Sequence, residues 1–456
     1  MGHAAMIVDE HTATSTVIVG LGDSGLACVR HLQAEGASVA VMDTRPRPPH
    51  VDTLAQNYPE IPLHLGGLSP ELLADADRVV LSPGVDPRLP PLQAAARAGI
   101  PILGEIELFA RAVTAPVVAI TGSNGKSTVT RILGAMADAA GIPAAVGGNL
   151  GPPALDLLVE QPDASLFVLE LSSFQLETTR SLVPLAATVL NLSPDHLDRY
   201  DSLDDYAAAK AQILSRARVA VLNADDRAVR AMARSSQTTV WFSGEAPHGA
   251  IRWTLQAVEG GVWICRGGEP FLPVDRLAMT GHHNALNALA ALALGEAAGL
   301  PDEPMRQALV TFPGLPHRME TVGWHRGRLW INDSKATNVG AAVAAIQSAN
   351  RPVVLIAGGE GKGQSFDALA AALAERGRRA VVYGQDRERL AAALKDVVPV
   401  CQVSDLAEAV SEALALSRPG DSVMLAPACA SLDQFSSYRA RGTRFRELVE
   451  ALSDGD

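Results

Sequence analysis

The sequence lacks the features of several common protein classes. Its four cysteines, Cys28, Cys265, Cys401 and Cys429, lie far apart in 456 residues and fit neither a disulfide framework nor a zinc site. No apolar stretch reaches the ~18 residues that are needed to span a bilayer. The N-terminus carries acidic residues and no long apolar segment, so it does not read as a signal peptide. These absences predict a cytoplasmic protein.

Positive charge is also scarce. The chain has 38 lysines and arginines against 50 aspartates and glutamates, which gives a formal net charge of −12, and it contains no Lys/Arg run. This balance argues against a nucleic-acid partner. The hydrophobic content of 48% is that of a globular protein, and the length predicts three domains because one ordinary core does not extend over 456 residues. Because the chain has no run of basic residues, any site that it has for an anionic ligand such as a nucleotide must use backbone dipoles and single basic residues.

The most informative stretch is a strand-to-helix junction at residues 117–130. An apolar β-branched run ends in TGSNGKST (121–128), and a helical pattern follows. In this context backbone N–H groups and a helix N-terminus can surround a phosphate, a lysine adds a point charge, and a hydroxyl can bind Mg²⁺. The motif is a shortened P-loop, and a simple capped glycine turn is the alternative. The candidate nucleotide-binding residues here are Gly122, Asn124, Gly125, Lys126, Ser127 and Thr128.

A second glycine-rich junction lies near the N-terminus. The strand TVIVGLG (16–22) continues into the pattern GxGxxG at 20–25, and an acid, Asp43, follows about twenty residues later. This is the usual sign of dinucleotide binding. Glycines and a helix dipole bind a diphosphate without distinguishing the base attached to it. The pattern therefore fits a nicotinamide cofactor or another nucleoside diphosphate.

Two further strand ends in the central region carry polar residues that can do chemistry. Glu170 interrupts the apolar strand 166–171, where a lone acid is costly unless it is paired or bound to a metal. His196 follows the strand 187–192. Open α/β sheets place their sites at such ends, so these residues are predicted to join the P-loop. Lys210 lies in a helical stretch of small residues, a pattern typical of a solvated lysine.

The C-terminal region repeats the alternation of strands and polar turns. Strands at 329–332, 353–357 and 422–426 each end in a polar loop, which predicts a second doubly wound sheet with its loops facing one crevice. Cys429 lies in the last of these loops and is predicted to be a small buried residue, since no histidine is near it in the sequence.

Together these patterns predict an α/β protein of three domains. They are an N-terminal Rossmann-like domain (1–104), a central P-loop-type mononucleotide-binding domain with a parallel sheet (105–313), and a C-terminal Rossmann-like domain (314–456).

Seven motifs in order along the chain carry a resemblance to a known family. They are TGSNGKST (121–128), VGGN (146–149), LELSSFQLETT (169–179), DHLDRY (195–200), GLPHRME (314–320), NDSKATN (332–338) and PACASLDQF (427–435). The chain resembles the Mur ligases of peptidoglycan synthesis, and among them the type that adds glutamate. The resemblance covers essentially the whole chain. It implies an ATP-dependent amide ligase that joins D-glutamate to UDP-N-acetylmuramoyl-L-alanine through an acyl phosphate.

The resemblance also implies roles for individual residues. Lys126, His196 and Lys210 are the implied catalytic residues. Two Mg²⁺ ions are implied, one held by Ser127 and Glu170 and one by His196, with Lys210 carried as a CO₂-derived carbamate in place of the solvated lysine. The implied adenine and phosphate contacts beyond the P-loop are Asn284, Asn287, Arg318, Asp333 and Lys335. The implied UDP-substrate residues are Asp23, Ser24, Thr44, Arg45, Ser82 and Asn149. The implied glutamate residues are Thr337, Lys362, Ser431 and Tyr438.

Three positions depart from the family's pattern, namely Met319, Ala426 and Tyr438, and none of them removes a charged catalytic group. A cytoplasmic monomer with no membrane or nucleic-acid partner is expected. The alternatives are the same reaction with L-glutamate, a related amide ligase such as a folate polyglutamate synthase or another Mur ligase, and a nicotinamide-dependent oxidoreductase. The UDP-pocket residues argue against the folate ligase, and the oxidoreductase leaves the P-loop without a purpose.

Overall fold

The computed structural model describes residues 14–195, 199–245, 250–258, 260–279 and 281–452. The chain forms two compact units. The first unit comprises Met1–Ala119, Pro143–Leu185 and Ala209–Arg218, and the second comprises Ile120–Ile142, Ala186–Ala208 and Val219–Asp456. Within the described ranges, no helix combines the length and the apolar character that a membrane span requires.

Strands and helices alternate along the whole chain. The elements of residues 15–112 are β1 (Ser15–Val19), α1 (Asp23–Ala34), β2 (Ser38–Asp43), α2 (Val51–Asn57), β3 (Leu63–Leu65), α3 (Pro70–Ala74), β4 (Arg78–Leu81), α4 (Pro90–Arg97), β5 (Ile102–Leu103) and α5 (Glu105–Ala112).

The elements of residues 117–311 are β6 (Val117–Thr121), α6 (Lys126–Ala139), β7 (Ala144–Gly148), α7 (Ala154–Glu160), β8 (Leu166–Glu170), α8 (Ser173–Glu177), β9 (Ala186–Val189), α9 (Leu203–Ala211), β10 (Val219–Asn223), α10 (Arg227–Arg230), β11 (Thr238–Ser243), β12 (Trp253–Val258), β13 (Gly261–Arg266), β14 (Glu269–Pro273), α11 (His282–Ala297) and α12 (Asp302–Thr311). Short 3-10 helices follow α9 and β14, at Gln212–Leu214 and Val274–Arg276.

The elements of residues 320–450 are β15 (Glu320–His325), β16 (Arg328–Asn332), α13 (Val339–Ser348), β17 (Val353–Gly358), α14 (Asp367–Arg376), β18 (Gly377–Tyr383), α15 (Arg387–Leu394), β19 (Val400–Gln402), α16 (Leu406–Leu416), β20 (Ser422–Leu425) and α17 (Tyr438–Glu450).

The N-terminal sheet confirms the Rossmann-like prediction. Its strands follow the order β3-β2-β1-β4-β5, and all of the pairings are parallel. The β-branched run of β1 is buried at Val17, Ile18 and Val19, because helices cover both faces of a parallel sheet. Since β1, β2 and β4 point the same way, the loops after them lie at one edge of the sheet.

The central strands are parallel where the sequence predicted them to be. In the first unit β7 pairs with β8, and in the second unit the pairs β9–β10, β10–β11 and β11–β12 are parallel. The structure adds an antiparallel meander of β12, β13 and β14 that the sequence analysis did not predict. Its second turn is the pair Gly267-Gly268, both with positive φ (60° and 92°), which is the conformation that a two-residue hairpin turn requires.

The C-terminal sheet is doubly wound, as predicted. Its order is β15-β16-β20-β17-β18-β19, with β15 antiparallel and the other pairs parallel. Apolar side chains fill both faces. Leu355 and Leu373 belong to the core on one face, and Ile356 and Phe445 to the core on the other. The loops after β16, β17 and β20 therefore emerge together at one edge.

Candidate nucleotide and substrate sites

The loop between β6 and α6 needs its glycines. Gly125 has φ +84°, and a Cβ there would lie 2.5 Å from Asn287 Oδ1. Gly122 has φ +149°, and its Cβ would lie 3.0 Å from Leu190 Cβ. Helix α6 begins at Lys126 with no side chain capping its first turn. Its first N–H groups therefore suit an anion, and the loop fits the phosphates of a nucleotide.

The side chains of this loop are held by neighbours in the same unit. Lys126 Nζ donates to the carbonyls of Gly122 and Ser123, both at 2.9 Å. Asn191 Oδ1 accepts from the backbone N–H of Asn124 at 2.8 Å, and Asn191 Nδ2 donates to the Asn124 carbonyl at 3.1 Å. Sequence analysis missed Asn191. The available signal was one amide at the end of an apolar strand.

The first loop of the C-terminal region reaches the P-loop helix. Arg318 Nη2 donates to Ser127 Oγ at 2.6 Å, which brings together two of the predicted ATP-site residues. Asp333 is buried and accepts from the Met319 N–H at 3.2 Å. Burial raises the pKa of Asp333 to about 7, although the Met319 N–H and the Arg318 charge oppose that rise. Arg318 is thus a cation placed beside the phosphate loop.

Of the three remaining predicted nucleotide residues, two contact each other and the third contacts a residue predicted for glutamate. Asn287 Nδ2 donates to Asn284 Oδ1 at 3.2 Å, at the start of α11. Lys335 Nζ lies 4.2 Å from the centroid of the Tyr438 ring, a cation–π contact. The structure therefore joins a residue predicted to contact ATP phosphate with one predicted to lie near glutamate. The adenine-side role of the two asparagines stays a prediction.

The first unit contains a cavity of about 490 Å³ at the predicted substrate site. It lies at the ends of β1, β2, β4 and β7, where the fold places binding loops. All six of the residues predicted for the UDP substrate line it, namely Asp23, Ser24, Thr44, Arg45, Ser82 and Asn149. Sequence reasoning did not assign Asp43 and Gln175, which also line it.

Asp43 is fully engaged inside the protein. Its Oδ2 accepts from the Leu21 N–H at 2.7 Å and from Arg45 Nη2 at 2.7 Å, and its Oδ1 accepts from the backbone N–H and Nε of Arg45. Burial acts to raise the pKa of Asp43, but the hydrogen bonds from Arg45 and Leu21 outweigh it and hold that pKa below its usual value. A dinucleotide-binding fold uses this acid for ribose hydroxyls. Here Asp43 already accepts four hydrogen bonds from Leu21 and Arg45, and this argues against the nicotinamide alternative.

Glu170 is buried but paired. Asn149 Nδ2 donates to Glu170 Oε1 at 2.6 Å, and the Asn149 N–H donates to the Glu170 carbonyl at 2.8 Å. Gly148 must be glycine, because its φ is +89° and a Cβ would lie 2.4 Å from that carbonyl. A predicted metal ligand and a predicted substrate residue are therefore in direct contact.

Lys210 is 2% exposed on α9, so the solvated lysine that its sequence context indicated is wrong. A helix of alanines gave no sign of what packs over the side chain. His196 lies outside the described residues, and its predicted metal role stays a prediction.

The oxygen donors of Ser127 and Glu170 are of the kind that Mg²⁺ prefers. In the part of the chain that the structure describes, no group of three or more His, Cys, Asp or Glu side chains is arranged to hold a metal ion. Mg²⁺ commonly uses one or two protein oxygens and takes its other ligands from substrate phosphates and water. The hydroxyl of Ser127, at the start of α6 in the second unit, is the kind of single oxygen donor that a nucleotide-bound Mg²⁺ uses.

The loops predicted to bind glutamate meet at the edge of the C-terminal sheet. The Glu360 N–H donates to the Ala430 carbonyl at 3.0 Å, and the Ala430 N–H donates to the Glu360 carbonyl at 2.8 Å, so the loops that carry Lys362 and Ser431 are joined. Cys429 is fully buried, and burial raises the pKa of its thiol to about 12. The prediction of a small buried cysteine is confirmed.

The ionisation of Asp333 gives a testable pH dependence. Its pKa of about 7 lies above the value of 3.8 expected in the unfolded chain, so the folded state holds its proton over a wider range. The contribution of this group to stability therefore falls as pH rises from about 4 to 7. Asp333→Asn keeps an acceptor for the Met319 N–H and should be more stable than wild type. We expect the gain in its free energy of unfolding over wild type to be about 1–3 kcal/mol larger at pH 8 than at pH 5.

Urea unfolding of the nucleotide-free protein at the two pH values measures this difference. Asp396→Asn is the control, because Asp396 is exposed in the same region. If the difference in free energy of unfolding between Asp333→Asn and wild type were the same at both pH values, the prediction would be contradicted.

Three family sequence models match the chain in the order in which its sheets occur. Residues 14–104 match the Mur ligase MurD-like N-terminal domain, residues 120–295 the Mur ligase middle domain, and residues 317–429 the Mur ligase glutamate ligase domain. The predicted boundaries at 104/105 and 313/314 stay predictions.

Curated relatives match over nearly the full length. A UDP-N-acetylmuramoylalanine--D-glutamate ligase of Nitrosococcus oceani is 48% identical and covers 96% of this chain and 97% of its own. The protein of the same name from Methylococcus capsulatus is 47% identical, with coverage of 96% and 95%. Among solved structures, UDP-N-acetylmuramate-alanine ligase MurC of Thermotoga maritima aligns with a TM-score of 0.60 at 20% identity, over 96% and 99% of the two chains. That likeness concerns the fold alone.

Proposed function

The chain belongs to the Mur ligase family, and from this premise we propose that it joins D-glutamate to UDP-N-acetylmuramoyl-L-alanine. Members of this family are ATP-dependent amide ligases that use Mg²⁺. The proposal is carried by the near-full-length identity with relatives named for this reaction. The cavity lined by all six residues predicted for the UDP substrate supports it.

The reaction begins at the alanyl carboxylate, which is a poor acylating agent. Transfer of the ATP γ-phosphoryl group to it gives an acyl phosphate and ADP. The neutral amine of glutamate then attacks the carbonyl carbon, and phosphate leaves as the amide forms. Lys126 and the N–H groups at the start of α6 stabilise the charge of the transferring group. Bound Mg²⁺ supplies further charge neutralisation at the phosphate oxygens.

The first unit holds the UDP-linked substrate in this proposal. The N-terminus of α1, next to Gly22 and Ser24, suits the diphosphate. Asp43 fixes the guanidinium of Arg45 at the cavity through two side-chain hydrogen bonds. Asn149 lines the same cavity and is bonded to Glu170, so it is suited to the muramoyl end of the substrate.

Several finer features belong to the same proposal. We infer two Mg²⁺ ions, with Ser127 and Glu170 at the first and His196 at the second. Lys210 is inferred to carry a carbamate, an anion that a hard cation accepts as a ligand. The protein is inferred to act as a monomer in the cytoplasm, where ATP and UDP-linked sugars are made.

Glutamate is assigned to the C-terminal loops. Lys362 and Ser431, on the two joined loops, are suited to its carboxylates, with Thr337 and Tyr438 nearby in the proposal. Two carboxylates and one amine define three points around the chiral carbon. The wrong enantiomer leaves one carboxylate unpaired, which costs several kcal/mol. At ~1.4 kcal/mol per decade we expect a preference for D-glutamate of about a thousandfold in kcat/KM.

The test is phosphate release from ATP with UDP-N-acetylmuramoyl-L-alanine and each glutamate enantiomer. Lys362→Ala should raise the KM for D-glutamate, while Lys395→Ala, an exposed lysine of the same region, should not. A wild type that prefers L-glutamate would overturn the stereochemical assignment and keep the ligase. Activity with a folate and none with the UDP substrate would favour the folate ligase. An unchanged KM in Lys362→Ala would place the carboxylate site elsewhere.

A further inference from the structure

Arg441 on α17 is completely buried and bonded to three loops. Its Nε donates to Ser334 Oγ at 3.0 Å, and its Nη2 donates to the carbonyls of Ser334 at 2.9 Å and Cys429 at 3.1 Å. Its Nη1 donates to the carbonyls of Gly358 at 3.2 Å and Ala430 at 3.4 Å. These five acceptors are four carbonyls and one hydroxyl.

None of those acceptors is a carboxylate, which is unusual for a buried guanidinium. A buried charge is costly even when it is well hydrogen-bonded, so stability alone is a weak reason for an arginine here. The planar guanidinium offers five donors in a fixed arrangement, and that shape suits a role in setting distances between backbone segments. Because Arg441 is 0% exposed, its side chain cannot itself touch a substrate.

The three loops are those that carry the residues assigned to glutamate and phosphate. Ser334 lies between Asp333 and Lys335, in the same loop as Thr337. Gly358 is the last residue of β17, directly before the loop of Lys362, and Cys429 and Ala430 precede Ser431. The second and third loops are already joined by the paired hydrogen bonds of Glu360 and Ala430. Arg441 adds the first loop to that pair.

The clamped loops contain backbone conformations that need support. Lys362 has φ 48° and Ala428 has φ 58°, both in the left-handed region that non-glycine residues seldom adopt. Such conformations persist where the surroundings determine them strongly, and they concentrate at ligand sites. Arg441 bonds to the carbonyl of Cys429, the residue that follows Ala428.

We propose that Arg441 is a positioning residue for the amino-acid substrate. It holds the three loops at the spacing at which their side chains match D-glutamate and reject its mirror image. This inference rests on the proposed function, since it deepens the account of the same glutamate site. It assigns stereospecificity to a side chain outside the site, acting through backbone carbonyls.

The experiment compares Arg441→Lys and Arg441→Ala with wild type. A lysine can keep one or two of these hydrogen bonds, but it lacks the fixed planar arrangement of five donors that links the three loops. We expect the KM for D-glutamate to rise by about 10–100-fold and the preference for D- over L-glutamate to fall about tenfold, because small misplacements of contacts have effects of this size. The KM for the UDP substrate should stay unchanged. Millimolar guanidinium should restore part of the glutamate affinity of Arg441→Ala.

Phe445→Leu is the matched control, because Phe445 is buried on the same helix and packs against Trp330 without bonding to these loops. It should lower the melting temperature and leave the glutamate KM and the D/L ratio unchanged. If both Arg441 variants fail to fold, Ser334→Ala removes one acceptor, and a smaller shift in the same direction is expected. Equal effects on the KM values for D-glutamate and for the UDP substrate, or an unchanged D/L ratio, would overturn the proposal. Wild-type protein that is inactive with both D-glutamate and L-glutamate would instead overturn the proposed function.

Discussion

Lys126→Ala is expected to lower kcat by about 10³–10⁵-fold while the protein stays folded, because single charges at a transferring phosphoryl group have effects of this size. Lys126 Nζ spans the loop to the carbonyls of Gly122 and Ser123, at the mouth of the anion site formed by the start of α6. The ammonium is thus held at the loop, and in the proposed function the γ-phosphoryl group develops its charge there. Removing it leaves the backbone N–H groups in place, so the loss should fall on the rate of phosphoryl transfer.

The measurement is steady-state phosphate release, combined with calorimetric titration of ADP. Arg131→Ala is the matched control, since it removes one positive charge from the exposed face of the same helix. It should leave kcat unchanged. If Lys126→Ala released phosphate at a nearly normal rate, the assignment of this loop to ATP would be wrong.

The sequence predicted those parts of the structure that depend on local backbone patterns. Strand, glycine turn and helix start at 117–130 predict an anion site from neighbouring residues alone, because the φ freedom of glycine and the N–H groups of a helix start are local properties. The same holds for the three polar loops after β16, β17 and β20. Parallel strands end at one edge, so the pattern of strands was enough to predict that these loops meet.

Partners that lie far apart in sequence could not be predicted in this way. Asn191 supports Asn124 from 67 residues away, and Arg441 reaches Ser334 from 107 residues away. In sequence each of them is an ordinary polar residue in a strand or helix, and only the fold reveals its acceptors. The sequence pattern around Asp43 is typical of dinucleotide binding, and only the structure shows that its carboxylate accepts hydrogen bonds from Leu21 and Arg45.

The second large effect is expected at Lys210. We expect Lys210→Ala to lower kcat by on the order of 10³-fold, the upper range for removal of one group that stabilises transition-state charge. Lys210 is 2% exposed, and so is Glu170 in the same compact unit. An amine buried at this level is protected from water, and carbamate formation is the addition of CO₂ to the uncharged form of such an amine. In the proposed function, a carbamate on Lys210 provides two oxygens for a hard cation.

The carbamate is distinguished from a structural lysine by rescue and by spectroscopy. In Lys210→Ala a short carboxylate such as formate or acetate can enter the vacated space, and millimolar concentrations should restore part of the activity. Lys210→Arg should remain inactive under the same conditions, because a guanidinium forms no carbamate and fills the space. Wild-type protein under carbon-13-labelled CO₂ should show a carbamate signal that is absent from both variants. Full activity of Lys210→Ala, or no carbamate signal in active wild type, would contradict the assignment and leave Lys210 as a buried packing residue.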